Sequence, residues 1–119
     1  MTQKPLVFIE SPYAGDLVTN GTYLKECILD SITRGENPYA SHGFFTQYLD
    51  DTVAVQRLLG MDLGNQWRLL CEFTVFYADL GYSEGRIKGM EFCIQHGHKY
   101  IERKIRHDER ILHILRSGV

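Results

Sequence analysis

The chain has 119 residues, of which 44% are hydrophobic and 24% charged, and its formal net charge is −2. This is the length of one ordinary domain that can bury a core without metal or disulfide cross-links. The balanced charge argues against non-specific electrostatic binding of nucleic acid. No apolar run approaches the ~20 residues that span a bilayer. We therefore expect one cytoplasmic domain over residues 1–119 with neither a membrane nor nucleic acid as partner.

The first element is predicted to be a strand. The apolar run at residues 6–9 is continuous, as in a strand buried on both faces, and it is too short for a signal peptide. Turn residues follow at 11–16, and apolar residues then recur at helical spacing until Gly35, a typical stop. Thr19 or Asn20 is expected to cap this helix.

The middle of the chain predicts a short edge strand and a less regular helix. Residues 37–42 contain a proline, which confines a strand to the edge of a sheet, and the aromatic cluster that follows favours a short helical turn. Asp50 and Asp51 are expected to cap a further helix rather than to form a catalytic pair. Gly60 and Gly64 predict a break in that helix.

The clearest strand prediction is residues 72–77, which are rich in aromatic and β-branched residues. A glycine-rich turn follows at 78–85, then a helix to Gly97, a strand at 98–102 and an amphipathic terminal helix from about residue 104. Alternating strands and helices predict βαβ units. The expected fold class is therefore α/β, a small flavodoxin-like, Rossmann-like parallel sheet of order 2-1-3-4 flanked by helices.

The topology also predicts where a ligand binds. In such sheets ligands lie beyond the carboxyl ends of the strands, where the winding reverses. Here that point falls between the first and third strands, so the loops at residues 11–20 and 78–85 are expected to form the site. The candidate ligand-binding residues are Tyr13, Gly15, Asp16, Asn20, His42, Asp79, Gly81, Ser83 and Gly85.

These residue types suit a small polar ligand. Tyr13 offers a ring for stacking and a hydroxyl for hydrogen bonding, and Asp16 and Asp79 offer carboxylates to sugar hydroxyls or a base. Helix N–H groups near Asn20 and after Ser83 favour an anion.

Each candidate also has a purely structural interpretation. The first loop can be a solvated turn, Asp79 a turn-forming residue and His42 a surface histidine. In the spacing Gly81-x3-Gly85-x3-Gly89, the third glycine is expected to permit close packing of helix on strand. The five histidines show no metal-ligand spacing, and we expect no metal and no cofactor.

Two further residue groups are expected to be structural. Cys27, Cys71 and Cys93 lie far apart in apolar surroundings, which predicts buried, reduced thiols. Arg57 and Arg68 are expected to be solvated, because long arginine side chains on helices usually reach water.

The two loops and the segment near the second strand also carry a resemblance to a known family. The residues that carry it are Ser11-Pro12-Tyr13-Ala14-Gly15-Asp16, Asn20, Gly35-Glu36-x-Pro38 and Ala78-Asp79-x-Gly81-x-Ser83-x-Gly85. They resemble small bacterial and phage proteins that in turn resemble the nucleoside 2-deoxyribosyltransferase-like superfamily. The resemblance spans about residues 5–103 and implies a flavodoxin-like sheet and cleavage of N-glycosidic bonds in nucleosides or nucleotides. It likens Tyr13, Asp79, Gly81 and Ser83 to site residues of those enzymes.

The chain departs from that superfamily at the nucleophile. The enzymes carry a glutamate in a Glu-x-Gly pattern, and here Ile87 or Gly85 stands at that place. The nearby carboxylates, Glu84 and Glu91, are the candidate catalytic residues if the protein is an enzyme, because glycosyl transfer through a covalent ester needs a carboxylate.

Three functions follow from these patterns. The first is binding of a nucleotide, nucleoside or nucleotide-derived signal without catalysis, which on the resemblance extends to phage-type sequestration of a defence signal. The second is an N-glycosidase or deoxyribosyltransferase that uses Glu84 or Glu91. The third is a protein-interaction or inhibitor module with a host protein as partner. The aromatic residues outnumber what so small a core needs, which predicts a homo-oligomer in which residues 42–48 reach a neighbour's cleft.

Overall fold

The computed structural model describes residues 3–12, 17–81 and 83–106. The strands are β1 (Leu6–Glu10), β2 (Asn37–Tyr39), β3 (Phe73–Tyr77) and β4 (Tyr100–Arg103), and the helices are α1 (Leu17–Thr33), α2 (Ala54–Leu70) and α3 (Glu84–Gln95). Two 3₁₀ turns, Ser41–Gly43 and Phe45–Gln47, connect β2 to α2. The four strands form a parallel sheet of order β2-β1-β3-β4. The predicted α/β class and strand order are therefore confirmed.

The central strands β1 and β3 are buried on both faces, as their continuous apolar runs predict. On one face alternate strand residues pack with α1 in a cluster of Val7, Ile9, Tyr23, Cys27, Ala40, Val75, Tyr77 and Ile105. On the other face Phe8 and Phe76 meet the inner sides of α2 and α3. In the part of the chain that the structure describes, no helix is long and apolar enough to cross a bilayer.

Helix α1 starts earlier than predicted. It begins at Leu17, so Asn20 lies inside the helix, where it is buried, and neither Thr19 nor Asn20 is the cap. Residues that suit a cap also tolerate a helix interior at a modest cost in propensity, so the capping pattern alone does not locate the first turn.

The predicted cap of α2 is also wrong. The N-cap is Val53, with no side-chain hydrogen bond to the helix. Asp50 lies further upstream, where its Oδ1 accepts hydrogen bonds from the Thr52 amide at 2.9 Å and the Thr52 hydroxyl at 2.6 Å. The aspartate therefore closes a local turn, which competes with capping for the same side-chain oxygen.

Helix α2 runs without the predicted break through both of its central glycines. Gly64 is buried, and a Cβ there would lie 2.5 Å from Ser41 Oγ. The glycine lets α2 approach the first 3₁₀ turn closely, and this tertiary packing outweighs the low helix propensity of glycine.

The three cysteines are free thiols. Cys27 and Cys93 are buried as predicted, whereas Cys71 is only half-buried because it caps the C-terminus of α2. Burial raises the pKa of the Cys27 and Cys71 thiols, which leaves both protonated and poorly nucleophilic at neutral pH.

The segment after β4 is held by carboxylates. The amide of Ile105 donates to Asp79 at 3.2 Å and the amide of Arg106 donates to Asp30 at 3.1 Å. Residues 104–106 are not helical, so the predicted terminal helix does not begin at 104, because the amides at its expected start bind side chains instead. The rest of that prediction lies outside the described residues.

A buried ion-pair network joins α1, β3 and β4 on the α1 face of the sheet. Glu36 receives two hydrogen bonds from the guanidinium of Arg103, at 2.7 and 2.8 Å. Asp30 accepts from the Tyr77 hydroxyl and from Arg34 Nε, each at 2.7 Å. Burial by itself raises the pKa of both carboxyls, but the hydrogen bonds they accept outweigh it and hold each pKa below its ordinary value.

Candidate functional site

A cleft of about 310 Å³ opens at the carboxyl end of β1, between α2, α3 and the two 3₁₀ turns. This volume lies at the lower end of the range for small-molecule sites, about 300–1,000 Å³. The cleft stands at the position where the winding of the sheet reverses between β1 and β3, which is where α/β sheets of this order bind ligands.

Ser11 and His42 meet in the lining of this cleft. Ser11 follows β1 and His42 lies in the first 3₁₀ turn after β2, and adjacent parallel strands bring these two segments to one edge of the sheet. Ser11 Oγ lies 2.9 Å from His42 Nε2. The Thr46 hydroxyl donates to the His42 carbonyl, which fixes the turn that carries the imidazole.

The imidazole of His42 is neutral near pH 7. Burial lowers its pKa, and although the Glu10 carboxylate opposes this, the Arg68 guanidinium lowers it further. A neutral ring has one nitrogen that accepts a hydrogen bond and one that donates, so the Ser11 contact is compatible with a histidine that acts as a base.

Arg68 lies beneath the cleft, contrary to the prediction that it is solvated. Only 3% of it is exposed, and it forms an ion pair with Glu10. Its guanidinium lies 4.4 Å from the ring centre of Phe8 and donates to Asn65 Oδ1 at 3.1 Å. Position 68 lies on the same side of α2 as Gly64, four residues earlier, and this side faces the sheet. The Arg68 side chain is therefore directed toward the sheet.

The N-terminus of α3 forms the opposite end of the cleft. Ser83 is its N-cap, and Ser83 Oγ accepts a hydrogen bond from the Arg86 amide at 3.2 Å. Glu84 and Gly85 line the cleft, and Lys88 Nζ lies 3.6 Å from a Glu84 carboxylate oxygen. The first N–H groups of a helix have no partner within it and attract anions.

Several predicted site residues are brought together here. His42, Ser83, Glu84 and Gly85 line the cleft, although they are distant in sequence. Gly81 lines a small adjoining cavity and has a φ of 85°, which favours glycine.

Other predicted residues lie elsewhere. The Asp79 carboxylate is on the α1 face, where it accepts from the Tyr23 hydroxyl at 2.6 Å and from the Ile105 amide. Asn20 is buried in α1, and Glu91 is exposed on α3 away from the cleft. The candidates Tyr13, Gly15 and Asp16 lie outside the described residues.

The predicted site included the loop that begins at Ser11, but the individual candidate residues did not include Ser11 itself, Glu10 or the α2 wall of the cleft. A signal for the first two was present, since they are the first polar residues after the apolar run at residues 6–9. No comparable signal marked α2, because its cleft-lining residues alternate with exposed apolar ones.

Comparison with known families adds one finding. The model of a family described as a domain of unknown function, DUF7768, matches residues 5–103. The chain belongs to the DUF7768 family. Neither a curated protein nor a solved structure matches it. The matched part of the DUF7768 domain runs from just before β1 to the end of β4, so the whole cleft lies within it.

Proposed function

We propose that the DUF7768 domain binds a nucleoside, a nucleotide or a nucleotide-derived ligand in the cleft at the carboxyl end of β1. The observation that carries the proposal is the cleft itself, which combines an apolar wall, hydrogen-bonding side chains and a helix N-terminus at the sheet's reversal point. Its volume of about 310 Å³ suits a ligand of this size.

The apolar wall supports a flat heterocycle as part of the ligand. Pro12, Phe45, Leu49 and Met61 come from four different segments and line the cleft together. An aromatic ring and aliphatic side chains provide apolar packing area for the faces of a base.

The polar lining supports the sugar and an anionic group. The amide oxygens of Asn65 and Gln56 on α2 accept hydrogen bonds from Arg68 Nε and the Asp50 amide, which leaves the NH2 groups of the two side chains as donors for sugar hydroxyls or a base edge. The first turn of α3, whose N–H groups carry partial positive charge, lies at the other end of the cleft, where an anionic group of the ligand is favoured.

The positions of Glu84 and Glu91 favour binding of the ligand without glycosyl transfer. Glu91 lies outside the cleft, and Glu84 is exposed and paired with Lys88. A nucleophile for glycosyl transfer has to reach the anomeric carbon from a fixed position, which neither side chain provides.

A thermal-shift screen against nucleosides, nucleoside monophosphates, cyclic nucleotides and ADP-ribose tests the proposal. A ligand at ~100 times its dissociation constant adds about 2.7 kcal/mol to stability, and chromatography shows whether it is recovered intact. Release of free base would instead support an N-glycosidase, and no shift across the panel would contradict nucleotide-type binding.

Two helix glycines provide matched variants for this screen. Gly60 lines the cleft, and a Cβ there makes ordinary contact with Leu49 at 3.5 Å, so Gly60→Gln fills the cleft and should abolish the shift. Gly21 lies on α1 with nothing within 4 Å of an added Cβ, so Gly21→Gln should retain it.

Self-association is the second part of the proposal. Helix α2 exposes large apolar side chains on its outer side, among them Val55 at 77% and Leu70 at 70% exposure, with Leu58 between them. Such exposed apolar surfaces mark interaction sites, and we assign this one to a second copy. Light scattering at micromolar concentration should show a dimer or larger, and Leu58→Glu should shift it toward a monomer; a wild-type monomer would contradict the assignment.

A further inference from the structure

The Ser11–His42 contact has the geometry of a nucleophile and its base. The oxygen–nitrogen distance of 2.9 Å is within hydrogen-bond reach, and both side chains line the cleft. Ser11 is held at the end of a central strand and His42 in a 3₁₀ turn that Thr46 braces. A serine hydroxyl becomes nucleophilic when an adjacent, oriented base takes its proton.

The charges around His42 favour its role as a base. Burial lowers the pKa of the imidazole, so the ring is unprotonated at neutral pH. Glu10 from β1 and Arg68 from α2 act on it directly and in opposite senses. In the part of the chain that the structure describes, the other charged groups that face the cleft are Asp51, Arg57, Glu84 and Lys88.

A small cavity beside Ser11 offers a place for a developing negative charge. It measures about 10 Å³, and its lining includes Ser11, Gly81, Ser83, Arg86 and Glu10, whose charge Arg68 balances. This is about the room that one water-sized atom needs. It adjoins the N-terminus of α3, whose first N–H groups and dipole stabilise an oxyanion.

We propose that Ser11 and His42 hydrolyse a carboxylic ester carried by the ligand of the cleft. The inference rests on the proposed function, since the bound ligand would hold the ester over Ser11. It goes beyond that function because it assigns a reaction and two catalytic residues.

The reaction needs only the ester and water. His42 Nε2, in the tautomer with its proton on Nδ1, takes the Ser11 hydroxyl proton as Oγ bonds to the carbonyl carbon. The C–O bond of the ester then breaks, and the leaving alcohol takes the proton from Nε2. Water attacks the acyl-serine and gives a proton to Nε2, which returns it to Oγ as the acid departs.

The charge balance of the cleft points to an acyl rather than a phosphoryl centre. Among the described residues, its lining holds three cations, Arg57, Arg68 and Lys88, and three carboxylates, Glu10, Asp51 and Glu84. Arg68 and Glu10 neutralise each other directly, as do Lys88 and Glu84. Phosphoryl transfer depends on surplus positive charge at the reacting group, whereas a neutral ester needs only the oxyanion site.

Covalent labelling of the full chain tests the proposal. A fluorophosphonate probe, followed by peptide mapping, should modify Ser11, and p-nitrophenyl acetate should be hydrolysed. Ser11→Ala should abolish both signals and His42→Gln should slow labelling at least tenfold. Thr22→Ala, which removes an exposed hydroxyl on α1, should leave both unchanged. Circular dichroism confirms that each variant is folded.

The pH dependence of the labelling rate shows whether His42 acts as a base or only lies next to Ser11. The labelling rate should rise through the lowered pKa of His42 and reach a plateau by pH 7. A rate that rises steadily with hydroxide, or unchanged labelling in His42→Gln, would overturn the assignment. If nucleotides stabilise the wild-type protein but Ser11 is neither labelled nor active, only this inference fails; if Ser11 is labelled and no nucleotide binds, the proposed ligand class fails instead.

Discussion

The guanidinium of Arg68 is the side chain whose surroundings differ most from the sequence-based prediction. It lies over the ring of Phe8, pairs with Glu10 and contacts the Thr74 hydroxyl at 3.5 Å. A buried arginine is tolerable when its charge is paired and its plane is covered by aromatic rings. Its helical position gave no sign of this, because the partners come from β1 and β3 and become neighbours only in the fold.

Replacement of Arg68 by methionine should lower the free energy of unfolding by about 2–3 kcal/mol, because it leaves Glu10 without its cation. The loss stays below that of a fully buried pair because the Glu10 side chain is 19% exposed. Urea unfolding measures the change. Arg57→Met, at an exposed position of the same helix, is the control and should change stability by less than about 0.5 kcal/mol; equal effects of the two would contradict the role given to Arg68.

Asp79 shows how a correct position can carry a different role. The residue does follow the third strand closely, in the turn after Tyr77, but its carboxylate accepts hydrogen bonds from Tyr23 and from the chain after β4. Sequence order predicts which strand end a residue occupies. It does not predict to which face of the sheet the side chain turns, and here that decides between a ligand contact and an internal brace.

Helix α3 approaches the sheet through a single glycine. A Cβ at Gly89 would lie 3.0 Å from Phe76 Cε1, 3.2 Å from Glu10 Oε1 and 3.3 Å from Arg68 Nη2. The expected close packing at the third glycine of the repeated spacing is therefore confirmed. This approach also sets the width of the cleft, since Gly89 and Glu10 both line it.

Two alanine substitutions in α3 should have opposite effects. Gly89→Ala should destabilise the domain by about 1–3 kcal/mol, because the added methyl pushes α3 away from the sheet. Gly85→Ala, where an added Cβ meets nothing within 4 Å, should stabilise it by about 0.5–1 kcal/mol through helix propensity. Thermal unfolding of both variants measures this; a Gly89→Ala protein as stable as wild type would show that the contact is not close.

The strands and their order were predictable because apolar runs, turn residues and connection lengths all agree. The boundaries and the unbroken α2 were not, because they depend on contacts between distant segments such as Gly64 with Ser41. The predicted site and the observed cleft lie at the same edge of the sheet, where the parallel strands end, but the prediction did not include the α2 residues that line the cleft. The strand order predicts which loops lie at a reversal point. The helix face that borders these loops depends on how the helix is rotated about its axis, which the strand order does not predict.

At the scale of the whole molecule, the network around Asp30 and Glu36 ties α1 to the last strand and to the amide of Arg106. The pKa of each carboxyl is lowered in the folded protein. The unfolded chain therefore binds more protons than the folded one in the acid range, and stability rises with pH there.

We expect the melting temperature to stay level above about pH 5.5 and to fall as the pH drops through the ordinary carboxyl pKa values toward the lowered ones. Glu36→Gln should reduce this acid-side dependence, because the group that takes up the proton is gone. Glu91→Gln, at an exposed site on α3, is the control and should keep it. Calorimetry between pH 3 and pH 7 tests this; a Glu36→Gln profile that coincides with wild type would contradict the role of the network.

The two outer strands of the sheet have a consequence for how copies of this domain meet. β2 is three residues long and contains Pro38, which has no N–H to offer, and β4 carries Glu102 and Arg103. Short, proline-bearing and charged edges discourage a further strand from pairing with them. Concentrated solutions of the protein should therefore resist fibre growth through the sheet, and contacts between copies are directed to the helical surfaces.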